Sequence, residues 1–274
     1  MVESGRLGNQ LFQYLALRSV AKSNERIVLF GFDQLKSTFD GLDAHFVHIE
    51  TNPLKHLVSI DYSRVQRMSA GLPGLGIIRE DDKARPARNP ASSLAIALPS
   101  WFQSDTFLGS LALQSLQVKP HLLESTQRFL TSHGLNGAST AFVQVRAGDY
   151  RLWPTPEQPA ILPPSWYRDR IAELRLHRPE LTIVAIGDEP SYTQEVITGL
   201  PDSLIFNSDY AAEFALMTVC SGGVLSASSF AYWGAYFAKR NYPQGAYLAP
   251  RFWAGHATGS WWPDHIQASF IDYR

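Results

Sequence analysis

The sequence predicts an α/β protein of two domains with mostly parallel sheets and a cleft between them. Short apolar segments alternate with segments of helical periodicity along the second half of the chain, as in strands joined by crossover helices. A length of 274 residues suits one large or two medium domains. Hydrophobic residues make up 45% of the chain and charged residues 18%, which is typical of a globular protein.

The first domain is expected to span residues 1–135 and to be the less regular of the two. Apolar residues recur at helical spacing over 9–21, which predicts a helix, and short apolar runs at 26–30 and 44–49 predict two strands. Charged residues and prolines crowd residues 79–93, so we expect a surface loop or a mobile segment there. The first half is thus predicted to be a second α/β unit beside a more regular one.

Residues 136–274 are expected to form a Rossmann-like domain. Apolar runs predict five strands, at 141–145, 181–188, 203–206, 222–227 and 245–249. Helical periodicity between them predicts four helices, at 165–176, 190–200, 212–220 and 228–239. The remaining tail is rich in aromatic residues, which either form a stacking platform for a sugar or pack across the two domains.

The charge and the cysteine content exclude several classes of protein. A formal net charge of −1 and a pI near 6.7 provide no basic field for nucleic acid or an anionic membrane. The single cysteine, Cys220, permits no intrachain disulfide, and its apolar neighbours indicate an inert buried thiol. The polar start predicts no signal peptide, and no apolar run approaches the ~20 residues of a membrane span, so we expect a soluble, cytoplasmic protein.

Sequence motifs for several common chemistries are absent. The chain has no D-x-D, no H-E-x-x-H, no G-x-S-x-G and no lysine-containing phosphate loop. Its eight histidines are scattered without the spacing of metal ligands. The sequence therefore predicts a site without a metal ion.

A first candidate site lies where the strand at 141–145 ends. Side chains alternate along a strand, so Gln144 and Arg146 share one face at the carboxyl end, where open parallel sheets bind ligands. The guanidinium of Arg146 offers a planar fork of donors that suits phosphate. The alternative is a structural ion pair, for which Asp149 in the following turn is the nearest partner.

Two further features follow later strands. Ser228 or Ser229 begins a helix directly after the strand at 222–227, and a helix N-terminus presents free N–H groups to an anion. The alternative for these serines is plain helix capping. Glu213 lies near the start of another helix, where it either suits the helix dipole or accepts two hydrogen bonds from a guanine edge.

Six motifs, spread in order over nearly the whole chain, resemble the α-1,2-fucosyltransferase family of inverting glycosyltransferases. They are GRLGNQLFQYLALR, SWFQSDTF, VQVRAGDY, SDYAAEFALMTVC, SASSFAYWGAYFA and YLAPRFW. The resemblance implies a GT-B-like fold with two Rossmann-like halves. It also implies GDP-β-L-fucose as donor, a hydroxyl of a galactose-containing glycan as acceptor, and no required metal or other cofactor.

The resemblance assigns roles to individual positions. Arg146 matches the arginine that holds the donor diphosphate, and Glu213 matches the acidic position that reads guanine. On sequence grounds Asp149 is the best-placed carboxylate for a general base, and the alternative is that it orients Arg146 or its own turn. The other matched positions are the N-terminal loop that closes over the reacting sugar, Gly8, Asn9 and Gln10, and the helix beside the phosphates, Ser228, Ser229 and Phe230. The spacing of Phe230 with Trp233 and Phe237 is also that of a packed core. The implied donor domain is 136–274 and the acceptor-side domain is 1–135.

One position departs from the family pattern, which usually reads H-x-R-x-G-D-Y. Gln144 stands at the first position, and glutamine can donate and accept hydrogen bonds but cannot carry a proton. We favour a positioning role for this residue over proton transfer. Two alternatives stay open, namely a sugar-nucleotide-binding protein that no longer catalyses and an enzyme of the same fold that uses another nucleotide deoxysugar.

Overall fold

The structure is a computed structural model that describes residues 1–48, 75–88 and 94–274, and it divides into two compact units. The first unit is Met1–Gln117 and the second is Val118–Arg274. The division falls before the boundary expected at residue 135, because the helix Pro120–Ser132 packs on the second unit. Its Phe129 meets Phe206 edge to face, with ring centroids 4.6 Å apart.

The first unit consists of short helices and small sheets. Its described helices are α1 (Leu7–Val20), α2 (Asp33–Thr38) and α3 (Leu111–Ser115). Its described strands are β1 (Val28–Phe30), β2 (Phe39–Asp40), β3 (His45–Val47), β4 (Leu75–Glu80), β5 (Pro86–Arg88), β6 (Leu94–Ala97) and β7 (Gln117–Val118), at whose start the unit ends. The predicted helix and both predicted strands are confirmed, and β1 pairs in parallel with β3.

Of the loop expected at residues 79–93, the described part is a β-hairpin in which residues 81–85 form the turn and residues 79–80 and 86–88 belong to strands. There the chain forms an antiparallel pair of β4 with β5. Asp81 closes the turn, since its Oδ1 accepts hydrogen bonds from the backbone N–H groups of Lys83 (2.9 Å) and Arg85 (2.8 Å). Pro86 is tolerated because β5 is an edge strand of a sheet ordered β5-β4-β6. Residues 89–93 lie outside the described residues.

The second unit is a Rossmann-like domain built on a six-stranded parallel sheet. Its sheet strands are β8 (Thr140–Val145), β11 (Thr182–Gly187), β12 (Ser203–Ile205), β13 (Gly222–Leu225), β14 (Ala246–Ala249) and β15 (Asp272–Tyr273). A small separate hairpin consists of β9 (Pro154–Thr155) and β10 (Gln158–Pro159). The helices are α4 (Pro120–Ser132), α5 (Pro164–His177), α6 (Pro190–Ile197), α7 (Tyr210–Thr218) and α8 (Ser229–Asn241). All five predicted strands and four predicted helices are confirmed, whereas β15, the hairpin and α4 were not predicted.

The core of the second unit lies on both faces of β8. Val143 and Val145 on one face pack with Tyr167 of α5 and with the neighbouring strands. Phe142 on the other face stacks on Tyr247, with ring centroids 6.1 Å apart. Each fully buried side chain of this size contributes about 1.5–3 kcal/mol to folding. Strand β8 is therefore anchored along its length, and only the residues after it can reach solvent.

The aromatic tail packs on α8 of its own unit. Phe270 meets Tyr232 edge to face at 5.4 Å, and Trp253, which is 2% exposed, meets the same tyrosine at 6.2 Å. These rings thus pack within the second unit, whereas the packing alternative expected from the sequence ran across the two domains. Within the described ranges, no helix has both the length and the apolar character needed to cross a bilayer.

Candidate functional site

The strand order of the second unit identifies where a ligand would bind. The sheet runs β12-β11-β8-β13-β14-β15, so in chain order its strands are arranged 3-2-1-4-5-6. The order reverses between β8 and β13, and open parallel sheets bind ligands outside the carboxyl ends of the strands at such a point. The residues that follow β8 and β13 are Arg146 and Ser226, so the first candidate site predicted from the sequence lies at the switch point.

Ser226 joins the ends of these two strands. Its hydroxyl donates to the carbonyl oxygen of Gln144 (2.8 Å) and accepts from the backbone N–H of Arg146 (2.8 Å). The hydroxyl of the fully buried Tyr167 lies 2.7 Å from the same oxygen. Burial raises the pKa of Tyr167 well above its ordinary value, so its phenol stays protonated and donates to Ser226. The backbone of Arg146 is thereby held in one position.

The side chain of Arg146 lies between two carboxylates. Its Nη1 is 2.9 Å from Oδ2 of Asp188, and its Nη2 is 2.5 Å from Oδ1 of Asp149. Its guanidinium also lies over the ring of Tyr150, 5.2 Å from the centroid. The ion pair with Asp149 expected as the structural alternative is therefore present. Asp149 is 60% exposed and Asp188 only 19%, so the two carboxylates differ in how easily they can leave the arginine.

Asp188 is a site residue that the sequence reasoning missed. It follows β11, the neighbour of β8, and its Oδ1 accepts from the backbone N–H of Ala147 (2.9 Å) while Oδ2 binds Arg146. The carboxylate thus fixes both the backbone after β8 and the guanidinium. The signal that could have identified it is its place: it is the first acidic residue after a buried strand, at the same edge as Arg146.

Gln144 is buried inside the strand end. Its side chain is 4% exposed, and its Nε2 donates to the carbonyl oxygen of Val145 at 3.3 Å. Its Oε1 is buried and finds no hydrogen-bond partner among the residues described. An unpaired buried acceptor of this kind costs about 1–3 kcal/mol.

The N-terminus of α8 lies directly after Ser226. Ser228 is the N-cap residue, yet within the described chain its side chain makes no capping hydrogen bond, so plain capping is not its role here. Ser229 is the first residue of the helix. Phe230 is half-buried and meets Phe214 edge to face at 5.6 Å, which is the packing alternative for this residue. The hydroxyl of Tyr150 donates to the carbonyl oxygen of Ala227 (2.7 Å), which ties the turn after Arg146 to the start of α8.

Glu213 lies in the first turn of α7, as expected. The N-cap residue is Asp209, whose Oδ1 accepts from the backbone N–H groups of Ala211 (2.9 Å) and Ala212 (3.0 Å). Burial raises the pKa of Glu213 to about 7; a hydrogen bond from the backbone of Ser208 opposes the shift, and the charges of Asp209 and Asp188 add to it. The Glu213 carboxyl is therefore poised to change its charge near neutral pH.

The predicted N-terminal loop is connected to a second family motif inside the first unit. Gly8 is buried in the first turn of α1. The Oδ1 of Asn9 accepts from Nε2 of Gln103 (2.7 Å), and Nε2 of Gln13 donates to the carbonyl oxygen of Ser100 (3.0 Å). The first turns of α1 and the SWFQSDTF motif are thus joined by hydrogen bonds.

Gln10 has an amide that is engaged within the first unit. Its Oε1 accepts from the backbone N–H of Leu35 (2.9 Å), and its Nε2 donates to Oε2 of Glu3 (2.6 Å). Burial, with a smaller effect from Asp33, raises the pKa of Glu3 to about 7. Gln10 therefore orders the loop, and its contact with a donor stays a prediction.

No group of three histidine, cysteine, aspartate or glutamate side chains is arranged to hold a metal ion in the described ranges. The residues gathered at the switch point are instead one arginine, two carboxylates, a serine clamp and a helix N-terminus. A guanidinium with neighbouring backbone N–H groups is suited to bind a phosphate group. The chemistry available at this edge is thus the binding of an anion by fixed donors.

Comparison with known proteins points in the same direction. The sequence model of glycosyl transferase family 11 matches residues 99–257, which is more than half of the chain. Over 246 residues the chain is 26% identical to the galactoside 2-alpha-L-fucosyltransferase SEC1 of Bos taurus and 27% identical to the galactoside alpha-(1,2)-fucosyltransferase 2 of Pongo pygmaeus. The alignments cover 85% of this chain and 62% and 67% of those proteins, so the chain spans about two thirds of their length or less.

Solved structures share the fold at low sequence identity. The NodZ alpha-1,6-fucosyltransferase soaked with GDP-fucose superposes with a TM-score of 0.51 at 12% identity, covering 86% of this chain and 90% of that one. POFUT1 in complex with GDP superposes with a TM-score of 0.54 at 12% identity, covering 89% and 96%. These similarities confirm the predicted GT-B-like α/β fold class.

Proposed function

Because the chain belongs to glycosyl transferase family 11, we propose that it transfers L-fucose from GDP-β-L-fucose to a galactose-containing glycan, with inversion at the anomeric carbon. The favoured acceptor atom is O2 of a terminal galactose, which gives an α-1,2 linkage. Both mammalian relatives are named galactoside 2-fucosyltransferases, which supports this choice.

The position of Arg146 is the observation that carries the proposal. Its backbone is clamped by Ser226 at the switch point of a parallel sheet, and its guanidinium is held by Asp188. Among the described residues, carboxylates engage two of the guanidinium's N–H groups, and the others are the proposed donors to a diphosphate. An arginine near a helix N-terminus is the arrangement expected for holding the phosphates of a sugar nucleotide.

We infer a single displacement for the reaction. The acceptor oxygen forms a bond to the anomeric carbon of fucose while the bond from that carbon to the β-phosphate oxygen breaks, and GDP leaves. Negative charge develops on the diphosphate, where Arg146 and the N-terminus of α8 stabilise it. Fixed donors do so without reorganising, which is why the clamp by Ser226 and Asp188 matters for the rate.

Asp149 is the proposed acceptor of the proton from the attacking hydroxyl. It is 60% exposed and bound to Arg146 through one oxygen, whereas Asp188 is 19% exposed and also bound to the backbone. A diphosphate that takes the Nη2 side of Arg146 would displace the more exposed carboxylate first. Once displaced from the guanidinium, Asp149 would have that carboxylate oxygen available to accept a proton near the reacting centre, as a general base requires.

Glu213 is the proposed reader of the guanine base. A carboxylate accepts two hydrogen bonds from the N–H groups of a guanine edge, and those bonds require the charged form. Because burial raises the pKa of Glu213 to about 7, donor affinity is expected to rise as the pH passes through 7. The interaction with Asp188 that contributes to this pKa supports a place for Glu213 in the same site as Arg146.

The two units are proposed to divide the substrates. The groups suited to diphosphate and guanine lie in Val118–Arg274, so we assign the donor to the second unit and the acceptor to Met1–Gln117. A role of Gly8, Asn9 and Gln10, which lie in the first turn of α1, in binding the transferred fucose stays a prediction. We further propose a cytoplasmic protein that acts beside the membrane on which glycans are assembled, which suits its single, buried cysteine.

A donor competition experiment tests the proposed activity. Transfer from GDP-fucose to lactose is measured with EDTA present and with GDP, UDP or dTDP as competitor. We expect full activity in EDTA and inhibition by GDP alone. Inhibition by dTDP or UDP instead would indicate that the donor is another nucleotide sugar. GDP-fucose binding without transfer to any of a broad panel of acceptors would indicate a non-catalytic binding protein. Gln144 in place of the family histidine favours this second alternative.

A further inference from the structure

The SWFQSDTF motif of the first unit presents one tryptophan to solvent. Trp101 is 49% exposed, whereas its neighbour Phe102 is fully buried. Phe102 adopts a positive φ of 51°, a conformation that costs a residue other than glycine on the order of 1 kcal/mol and that is concentrated at functional sites. The strained turn buries the phenylalanine and directs the adjacent tryptophan outward.

The segment around Trp101 is held on both sides. The backbone N–H of Trp101 donates to Oε2 of Glu80 (3.0 Å), and the carbonyl oxygen of Ser100 accepts from Nε2 of Gln13 (3.0 Å). Beyond Phe102, Nε2 of Gln103 donates to Oδ1 of Asn9 (2.7 Å). An indole exposed on so constrained a backbone loses little conformational freedom when a ligand binds it.

Gly5 lies against the indole and the amide of Asn9. It has a φ of 84°, and a Cβ at this position would lie 3.0 Å from Cζ3 of Trp101 and 2.4 Å from Nδ2 of Asn9. Only glycine allows the loop to approach both side chains. Gly5 therefore brings the indole close to the amide of Asn9, to which the amide of Gln103 is hydrogen-bonded.

We propose that Trp101 is the stacking platform for the terminal galactose of the acceptor, with the amides of Asn9 and Gln103 beside it to bond hydroxyl groups. The proposal rests on the proposed function. The C–H groups of carbons 3, 4 and 5 of galactose lie on one face of its ring, and that apolar face matches an indole. The donor's phosphate and base have their partners in the second unit, which leaves this surface of the first unit for the other substrate.

Substitution of Trp101 tests the proposal by a split between the two substrates. Trp101→Leu keeps an apolar side chain without a ring, and Trp101→Phe keeps a smaller ring. We expect the KM for lactose to rise about tenfold in the leucine variant and about threefold in the phenylalanine variant. The KM for GDP-fucose, the hydrolysis of GDP-fucose in the absence of acceptor and kcat at saturating lactose should stay within twofold of wild type.

Trp262→Leu is the matched control, because Trp262 is 51% exposed but lies in the second unit. The proposal is overturned by an unchanged lactose KM in Trp101→Leu, by a rise confined to the KM for GDP-fucose, or by an equal rise of the lactose KM in Trp262→Leu. If the wild-type protein transfers no fucose to lactose, the proposed function fails. Saturation-transfer NMR of lactose with GDP present then tests the platform alone: loss of the galactose signals in Trp101→Leu supports it, and unchanged signals overturn it.

Discussion

Replacement of Arg146 by alanine should abolish transfer while the protein remains folded. The guanidinium is 13% exposed and is the only positive charge bound to Asp188 in the described chain. Loss of one fixed donor to a developing negative charge costs about 10²–10³ in kcat, and loss of an arginine that stabilises a phosphate costs about 10³–10⁵. We therefore expect kcat/KM to fall about 10³-fold or more, which corresponds to about 4 kcal/mol of transition-state stabilisation.

The same change should also destabilise the fold, and the two effects can be separated. Alanine leaves Asp188, which is 19% exposed, with the backbone N–H of Ala147 as its one hydrogen-bond donor among the described residues. Breaking a fully buried pair costs about 3–5 kcal/mol, and partial exposure reduces this to about 2 kcal/mol. The double variant Arg146→Ala, Asp188→Asn removes the unpaired charge, so it should regain most of that stability without regaining transfer.

The assay combines initial rates with GDP titration and thermal unfolding. Arg151→Ala is the matched control, because Arg151 lies in the same turn, pairs with Glu189 at 2.7 Å and is 46% exposed. It should keep activity within a few-fold of wild type. Arg146→Lys keeps the charge without the planar fork and should be intermediate between wild type and alanine. Turnover of Arg146→Ala within tenfold of wild type, in a folded protein, would refute the diphosphate role.

Three further predictions concern neighbouring groups. Glu213→Gln should weaken GDP binding at pH 8 and raise the unfolding temperature relative to wild type. The gain in unfolding temperature should grow from pH 4.5 to about 7 and be constant above, because over this range the carboxyl of wild type ionises in the unfolded chain before it does so in the folded protein. A gain independent of pH would contradict this. Gln144→Met removes an unpaired buried oxygen, so it should raise the unfolding free energy by about 1 kcal/mol while weakening GDP-fucose binding; a less stable variant with intact affinity would count against a positioning role. Asp149→Asn should lower kcat about 10²-fold with GDP affinity preserved, and an unchanged kcat would remove it as the base.

Much of the second unit could be predicted because its strands are buried on both faces. Two of them are apolar runs bounded by turn residues, Thr140–Val145 and Thr182–Gly187. An apolar run of this length between two clear helices is readily assigned to a buried strand of a parallel sheet. Strand Asp272–Tyr273 could not be predicted, since two residues at the sheet edge carry no periodicity. The hairpin that Leu75–Glu80 forms with Pro86–Arg88 was missed. Its turn is closed by hydrogen bonds to the side chain of Asp81, which in the sequence is only one of several charged residues.

The candidate site was predicted only in part, for a similar reason. Arg146 was identified because a charge interrupts an apolar strand, and Glu213 because it begins a helix. Asp188 and Ser226 were missed because their roles depend on which strands are neighbours, and sequence order does not reveal that β8 lies between β11 and β13. The unpaired oxygen of Gln144 likewise exists only once the strand is packed.

The linkage of the product is the most direct test of the proposed fucosyl transfer. The protein is incubated with GDP-fucose and lactose in EDTA, and the trisaccharide is examined by NMR for the anomeric configuration and the position of fucose. We expect α-L-fucose on O2 of the galactose, with no product from Arg146→Ala. Fucose on another atom, retention of the β configuration, or GDP-fucose binding with no product would contradict it.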